Sequence, residues 1–300
     1  MNGFFQPGFE GQIVRCLKRK AATRPDIELI AIGRPDLDLA QPDTVMKAIA
    51  WANPDIVISA AAYTGVDKAE VESDVAYRVN AIGAGAVSRD AAVCDAPVIH
   101  WSTDYVFDGD SENPYTEEDL TNPCNVYGKT KLEGELLVSS SNKKHIILRT
   151  SSVYSPFGTN FVKTMLNIAE TRGEVSVVSD QWVNPSSADD LAEGAFHIVD
   201  SLCSKTDFSN FGVFHLVGAG ATNWSNFARS IFSESRKYNG PHAEVIPIKS
   251  DEYPTKAKRP FNSRLNTEKF ASVFGWTMPH WDASLQPVVK SIIEGPVEAN

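Results

Sequence analysis

The chain of 300 residues is short of cysteine and has no sign of a metal or disulfide framework. Its four cysteines, Cys16, Cys94, Cys124 and Cys203, form no CxxC pair and have no partnering histidine spacing. Scattered cysteines of this kind are typical of free thiols in a reducing compartment. We therefore predict no metal site and no disulfide.

Basic residues are also scarce relative to acidic ones. The chain has 28 Lys and Arg against 38 Asp and Glu, a formal net charge of −10. A surface this acidic offers no electrostatic attraction to a phosphate backbone, so we expect no binding of nucleic acid. One local basic pocket for a phosphorylated small molecule stays compatible with this composition.

Long hydrophobic runs are missing as well. The longest, at residues 56–63, has the length of a strand and is too short to cross a bilayer. The first residues, MNGFFQP, lack the basic and apolar regions of a secretory signal. We expect a cytoplasmic protein with no membrane association.

What is present is an alternation of short apolar runs and longer helix-period segments, which is typical of repeated βαβ units. It predicts an α/β fold with a Rossmann-type, doubly wound parallel sheet, whose ligands bind at the carboxyl ends of the strands. The predicted strands are residues 27–32, 55–60, 97–101 and 145–148, and the predicted helices between them are 42–51 and 73–94.

The pattern changes after about residue 154, where shorter strands are separated by longer loops. We predict a dinucleotide-binding domain at residues 1–154. Residues 155–300 are expected to form mainly a smaller α/β substrate lobe, interleaved with the first.

A glycine motif near the start indicates a dinucleotide site. Gly8 and Gly11 stand where a turn lets backbone N–H groups approach a pyrophosphate at a helix N-terminus. Val14 occupies the third glycine position and should crowd the helix against the sheet. The strand before the motif is short and weak, because only Phe4 and Phe5 are strongly apolar and Pro7 can donate no ladder hydrogen bond.

Gly33 and Arg34 follow the strand at residues 27–32. An acidic residue at this point favours NAD, whereas an arginine accommodates the 2′-phosphate of NADP. The motif favours NADPH, with NADH left open, and a solvated surface arginine is the alternative interpretation.

The candidate catalytic residues lie at the end of one strand and the start of the next helix. Thr103 follows the strand at 97–101, and Tyr127 and Lys131 stand at i and i+4 of a helical segment. An ammonium near a phenol favours the phenolate, which would lower the pKa of Tyr127. Tyr127 is then a general acid for a ketone that accepts hydride, and the Thr103 hydroxyl binds the same oxygen.

With these residues the chain resembles the extended short-chain dehydrogenases/reductases and, among them, the dTDP-4-dehydrorhamnose reductase family. The resemblance covers almost the whole length. The matching segments are residues 36–39 (DLDL), 60–70 (AAAYTGVDKAE), 79–80 (VN), 102–107 (STDYVF), 127–133 (YGKTKLE), 148–151 (LRTS), 180–185 (DQWVNP), 214–218 (FHLVG), 223–232 and 258–260 (KRP).

The resemblance implies hydride transfer from NADPH to C4 of a dTDP-4-keto-6-deoxy sugar, with Tyr127 as acid, Lys131 on the nicotinamide ribose and Thr103 on the carbonyl. It leaves a homodimer open. The implied cofactor residues are Gly8, Gly11, Gln12, Ile13, Arg34, Asp38, Leu39, Ala60, Ala61, Ala62, Tyr63, Asn80, Tyr127 and Lys131, and the implied substrate residues are Thr64, Val66, Asp104 and Tyr105.

The chain departs from the family pattern at several positions. Val14 replaces a glycine, Ser152 a tryptophan that packs against the sugar, and Val183 another glycine. Cys16 stands where some members hold a metal with a carboxylate, so the metal is not carried over. These departures keep a second hypothesis open, a non-catalytic dinucleotide-binding relative similar to the regulatory beta subunit of methionine adenosyltransferase. An epimerase or dehydratase is disfavoured, because no second acid follows Thr103 and Asp104.

Overall fold

A computed structural model of the protein describes residues 2–8, 10–205 and 207–295. Phe9 of the glycine motif and the last residues of the predicted second lobe, 296–300, lie outside the described residues. The strands are β1 Asn2–Pro7, β2 Ile27–Ile32, β3 Ile56–Ser59, β4 Val98–Thr103, β5 His145–Thr150, β6 Val153–Tyr154, β7 Glu174–Val178, β8 Trp182–Val183, β9 Ser186–Ser187, β10 Gly212–His215, β11 Thr222–Asn223 and β12 Glu244–Ile248.

Helices cover both faces of the main sheet, which confirms the predicted α/β class. The helices are α1 Gln12–Ala21, α2 Pro42–Ala52, α3 Val66–Ala69, α4 Ser73–Tyr77, α5 Ala84–Val93, α6 Val126–Ser141, α7 Phe161–Ala169, α8 Ala188–Ser204, α9 Trp224–Lys237, α10 Glu268–Phe274 and α11 Trp281–Glu294. Residues of α1, α8 and α10 form the core on one face, and residues of α2, α5 and α6 form it on the other.

The main sheet is parallel, with the strand order β10-β5-β4-β3-β1-β2. The chain runs outward from β1 to β2, returns past β1 to β3, and then continues in the opposite direction. The strand order therefore reverses between β1 and β3. In open α/β sheets the crevice outside the carboxyl ends of the strands at this point is where ligands bind.

The first strand is stronger than its sequence indicates, so the expected weak start is wrong. β1 pairs with β2 over its whole length and with β3 on its other side. Phe4 is buried in the core on one face of the sheet and Phe5 in the core on the other. Pro7 stands at the end of the strand, and the N–H of Gly8 continues the ladder by donating to Ile32 O at 2.6 Å.

The predicted helix at residues 73–94 is divided. A π-helical segment at Arg78–Gly83 separates α4 from α5. At two positions of this segment, another part of the chain comes so close that only glycine fits at the contact. A Cβ on Gly83 would lie 2.5 Å from Leu39 O, and a Cβ on Gly134 of α6 would lie 2.1 Å from Asn80 O. Such π segments are frequent at functional sites.

The second half of the chain contributes both to the main sheet and to a separate core. β10 and α8 belong to the main sheet and its covering layer. The other core is built around α7, α9 and α11, against the parallel pair β7 and β12. The division of the chain near residue 154 stays a prediction. Within the described ranges, no helix has the length and apolar character needed to span a membrane.

Candidate active site

Thr103 is the last residue of β4, at the carboxyl edge of the sheet. Its hydroxyl donates to Asp104 Oδ1 at 3.0 Å and accepts from the N–H of Tyr105 at 3.2 Å. Asp104 in turn accepts from Ser151 Oγ at 2.7 Å, after β5. Buried hydroxyls with this many partners are held in place, so the Thr103 oxygen has a defined position.

Tyr127 is brought to Thr103 by the start of α6. Asn125 caps the helix by accepting from the N–H of Gly128 at 2.8 Å. Gly128 is required there, because a Cβ would lie 2.1 Å from Tyr105 O. The rings of Tyr105 and Tyr127 meet edge to face at 5.9 Å between centroids, and Thr103 is close enough to the Tyr127 phenol to act on its pKa.

The protonation state of Tyr127 differs from the expectation. Burial raises the pKa of Tyr127 to about 12, the hydrogen bond to Thr103 acts in the opposite direction, and the charge of Asp104 adds to the increase. The expected stabilisation of a phenolate by Lys131 is therefore wrong for this arrangement, because desolvation of the charged form dominates. The phenol carries its proton at neutral pH.

Lys131 lies one turn further along α6 and is 2% exposed. Its Nζ donates to Trp101 O at 2.6 Å and lies 3.4 Å from His100 Nε2. Burial lowers the pKa of Lys131 to about 8, although the charge of Glu135 acts to raise it. The ammonium is thus fixed on the backbone of β4 below Tyr127.

Four polar residues of this region escaped the sequence analysis as functional candidates: His100, Ser102, Glu135 and Arg149. Glu135 and Arg149 form a buried ion pair at 2.7 Å, and Ser102 Oγ donates to the same carboxylate. Tyr127, Lys131 and Glu135 recur every four residues on one face of α6, a signal from which Glu135 could have been found. His100, in β4, is also buried.

The glycine turn, which contains Gly8 and Gly11, follows β1, and β1 lies two strands away from β4 in the main sheet. Gly8 has φ +102°, which only glycine adopts without strain, and a Cβ there would lie 3.5 Å from Ala61 Cβ. Gly11 caps α1 without a side-chain hydrogen bond, so the first N–H groups of the helix, including those of Gln12 and Ile13, have no acceptor within the helix. This cradle, which Cβ atoms would fill, fits a dinucleotide pyrophosphate.

Two residues of the turn have specific packing roles. Val14 is buried, and a Cβ on Gly11 would lie 3.3 Å from its Cγ2. Gln12 points its amide oxygen away from the turn, where it accepts from Ser155 Oγ at 2.8 Å and Asn160 Nδ2 at 2.9 Å.

Three predicted cofactor residues follow β2, namely Arg34, Asp38 and Leu39, and they differ in exposure. Arg34 is exposed. Asp38 Oδ1 accepts from the N–H of Ala40 at 2.9 Å and forms a local turn. Leu39 is buried against Gly83 of the π-helical segment. The structure therefore leaves Arg34 free to meet a ligand at this edge.

The loop after β3 is attached to the π-helical segment. The N–H of Tyr63 donates to Asn80 Oδ1 at 2.8 Å, and Asn80 Nδ2 donates to Tyr63 O at 3.0 Å. This reciprocal pair sets the course of residues 60–63 (Ala60, Ala61, Ala62 and Tyr63), which are half-buried beside Gly8.

The predicted substrate residues differ in exposure. Thr64 is exposed, and Val66 begins α3. Burial raises the pKa of Asp104, although hydrogen bonds from Ser263, Ser151 and Thr103 oppose the increase. Burial also raises the pKa of Tyr105.

The family departures have visible local structures. Ser152 has φ +47°, and its backbone oxygen accepts from the N–H of Ser186 at 3.2 Å. Val183 lies in β8 and is buried. A non-glycine residue with positive φ beside an active site is a form of strain that often accompanies function.

Cys16 is an unsuitable metal ligand. It is buried on α1, and burial raises the pKa of its thiol to about 12, with the charge of Asp189 adding to the increase. Only the thiolate binds metals well. No group of three potential metal-ligating side chains occurs among the residues that the structure describes.

The parallel sheet, the glycine turn at its topological switch point and the Thr103, Tyr127 and Lys131 arrangement place the chain among the extended short-chain dehydrogenases/reductases. Comparison with known proteins gives the particular family. The family model described as RmlD substrate binding domain matches residues 3–293. The chain belongs to this family, as the resemblance in its motifs predicted.

Relatives and solved structures agree over nearly the full length. The chain is 47% identical to a dTDP-4-dehydrorhamnose reductase of Sinorhizobium fredii, over 95% of this chain and 96% of that protein. It is 39% identical to the dTDP-4-dehydrorhamnose reductase of Escherichia coli K12, over 95% and 96% respectively.

The structure of a dTDP-4-dehydrorhamnose reductase from Clostridium acetobutylicum superimposes with a TM-score of 0.88 at 37% identity, covering 96% of this chain and 98% of that one. The enzyme from Bacillus anthracis, solved in complex with NADP, gives a TM-score of 0.87 at 32% identity, with coverage of 96% and 98%.

Proposed function

We propose that the protein reduces the C4 ketone of dTDP-4-dehydro-L-rhamnose, or of a related dTDP-4-keto-6-deoxy sugar, to the alcohol, with NADPH as the hydride donor. The observation that carries the proposal is the closeness of the Thr103 hydroxyl to the Tyr127 phenol at the carboxyl edge of the sheet, where the start of α6 packs on Tyr105. Two hydroxyls that meet there can bind one ketone oxygen. The names of the relatives support the choice of substrate.

The protein residues control the ketone oxygen. Tyr127 donates to it, and the Thr103 hydroxyl does so by turning its single hydrogen from Asp104 to the ketone. Bound NADPH would supply the hydride that C4 receives. As the C4–H bond forms, the carbonyl π bond opens and its electron pair moves to oxygen, which takes the Tyr127 proton. A phenol with a pKa of about 12 is protonated at neutral pH, as a proton donor must be.

Lys131 has the role of holding the nicotinamide ribose. Its ammonium has three N–H donors. Trp101 O takes one of them and His100 Nε2 lies near a second. A donor therefore remains for the ribose hydroxyls.

The pyrophosphate is assigned to the N–H groups of Gly11, Gln12 and Ile13, and Gly8 lets it approach. Arg34 is assigned to the 2′-phosphate of NADPH. Asp38, Leu39, the 60–63 loop and Asn80 complete the cofactor site, and Thr64, Val66, Asp104 and Tyr105 the sugar site. Residues 1–154 would carry most of the first site and residues 155–300 most of the wall facing the sugar.

The test is a reductase assay on the purified protein with a dTDP-4-keto-6-deoxy sugar, with nicotinamide oxidation followed by absorbance and the sugar product identified by NMR. We expect stoichiometric alcohol and NADP, and a lower Kd for NADPH than for NADH. Arg34→Ala should raise the Kd for NADPH about ten-fold, since one charge-assisted contact is lost, and leave that for NADH unchanged. NADPH binding without turnover of any dTDP-keto sugar would support the regulatory hypothesis instead.

A further inference from the structure

A chain of three buried polar side chains lies behind the site, and the reaction as proposed uses only its last member. His100 stands in β4 and is 1% exposed. Its Nδ1 lies 3.2 Å from Ser59 Oγ, at the end of β3, and its Nε2 lies 3.4 Å from Lys131 Nζ. Ser59 and His100 are direct partners in the parallel ladder between the two strands.

The contacts determine which nitrogen of His100 carries the proton. An ammonium can only donate, so His100 Nε2 must accept from Lys131. The single ring proton is then on Nδ1, from which it is donated to Ser59 Oγ. Burial, and the charge of Lys131, hold the pKa of His100 well below its usual range, so the ring is neutral at physiological pH.

We propose that His100 is a positioning residue for cofactor binding: with Trp101 O it fixes the Lys131 ammonium so that the remaining N–H meets the nicotinamide ribose. This inference rests on the role proposed for Lys131. A lysine side chain has several freely rotating bonds, and a charged donor held by two acceptors loses that freedom before the cofactor arrives. Ser59 acts one step further back, by keeping the acceptor nitrogen of His100 towards Lys131.

Among the charged groups of the neighbouring elements, Glu135 of α6 acts on Lys131 and opposes the decrease of its pKa. Arg149 of β5 reaches this region through its ion pair with Glu135. Glu135 and Arg149 pair with each other at 2.7 Å, so their charges largely offset. A substitution at His100 leaves this pair intact, which makes His100 a specific probe of Lys131.

The experiment measures NADPH affinity by titration, and the pH dependence of kcat/KM, for His100→Leu, His100→Gln and Ser59→Ala. We expect about a ten-fold higher Kd in His100→Leu, the effect of losing one hydrogen bond to a charged group. The alkaline decline of kcat/KM should move about one unit lower, because the ammonium loses an acceptor. His100→Gln keeps an amide oxygen for Lys131 and an N–H for Ser59. Its Kd for NADPH should therefore lie within about three-fold of the wild-type Kd, and its alkaline decline of kcat/KM should stay at the wild-type pH. Ser59→Ala should give a smaller change in the same direction.

The matched control is His215→Leu. His215 is equally buried in the same sheet, but its Nδ1 contacts Tyr115 O and Asn266 O rather than Lys131. It should lose thermal stability with the wild-type Kd for NADPH. An unchanged Kd for NADPH in His100→Leu would overturn the proposal. So would an equal increase of the Kd in His100→Leu and His100→Gln, or in His100→Leu and His215→Leu.

If His100→Leu does not fold, Ser59→Ala and His100→Gln decide the question. A wild-type Kd in Ser59→Ala would then overturn the proposal. Turnover of the dTDP-keto sugar is a separate measurement. Failure of the proposed reaction therefore leaves the binding comparison intact.

Discussion

The floor of the site, formed by His100, Lys131, Glu135 and Arg149, and the glycine turn, formed by Gly8, Gly11 and Val14, are built in opposite ways. The floor consists of buried charged and polar side chains that hydrogen-bond one another and the backbone of β4. The turn consists of backbone shape, namely a positive φ at Gly8 and the absence of a Cβ at Gly8 and Gly11.

This difference explains where the chain could diverge from its family. At the turn a side chain can change without removing the backbone N–H groups, as at Val14, which is buried beside Gly8 and Gly11. At the floor each polar atom is buried, and a lost partner leaves a desolvated group unpaired. Thr103, Tyr127 and Lys131 accordingly match the family pattern, and the departures lie elsewhere.

The largest expected effect is at the edge of the floor. Tyr127→Phe removes the proposed proton donor, so kcat/KM should fall by about 100-fold or more, while the Kd for NADPH stays within about two-fold. Steady-state kinetics and a binding titration measure the two quantities. Tyr154→Phe is the control, since it removes a buried hydroxyl bonded to Trp281 O, far along the chain. Equal turnover in both variants would contradict the assignment of the acid.

The next effect is the pH dependence of stability. The pKa of Lys131 is about 8 in the folded chain, against an ordinary value of 10.5. Between these values the unfolded chain binds more protons, so the contribution of Lys131 to the free energy of unfolding increases with pH by up to about 3 kcal/mol. Below pH 8 the full cost of the buried charge is present.

Chemical denaturation from pH 7 to pH 10.5 measures this contribution as the difference between the wild type and Lys131→Met. The variant should lack the increase. Lys129→Met, an exposed position on the same helix, should retain it. Parallel curves for the wild type and Lys131→Met would refute the depressed pKa.

A smaller effect is expected where α6 meets the π-helical segment. Gly134→Ala places a Cβ 2.1 Å from Asn80 O, a backbone atom that cannot give way cheaply. We expect a loss of about 2 kcal/mol in the free energy of unfolding, although alanine is the better helix former. Gly173→Ala has nothing within 4 Å and should stay within about 0.5 kcal/mol of the wild type. Thermal melting of both variants tests the contrast.

The smallest effect concerns the turn. Gly11→Ala crowds Val14, whose Cγ2 would lie 3.3 Å from the new Cβ. The Kd for NADPH should rise about five-fold, or about 1 kcal/mol. The added substitution Val14→Ala should restore most of this affinity by making room, and Val14→Ala alone should bind NADPH normally. An equal loss with and without Val14→Ala would mean that the Cβ blocks the ligand directly.

Local signals in the sequence predict the structure well. The strand Ile27–Ile32 has its predicted bounds, because a mostly apolar run needs no partner to be recognised. Thr103, Tyr127 and Lys131 were selected from strand order and helical spacing, and the structure brings Thr103 and Tyr127 close together.

Contacts between residues that are distant along the chain are not visible in the sequence. His100 and Lys131 are 31 positions apart and meet only because α6 packs on β4. The strength of β1 is not visible in the sequence, because Phe4 and Phe5 are buried in the cores on opposite faces of the sheet. Each ring is buried only when the helices of its own face are in place.

The order of apolar runs, glycines and spaced polar residues thus determined the α/β class and the family and led to the residues proposed to bear the chemistry, because periodicity and spacing are properties of the chain itself. The tertiary structure decided the charge states. Spacing put an ammonium one turn from a phenol, but only packing could bury Lys131 and cover part of Tyr127. The resulting desolvation raised the pKa of Tyr127 and lowered that of Lys131.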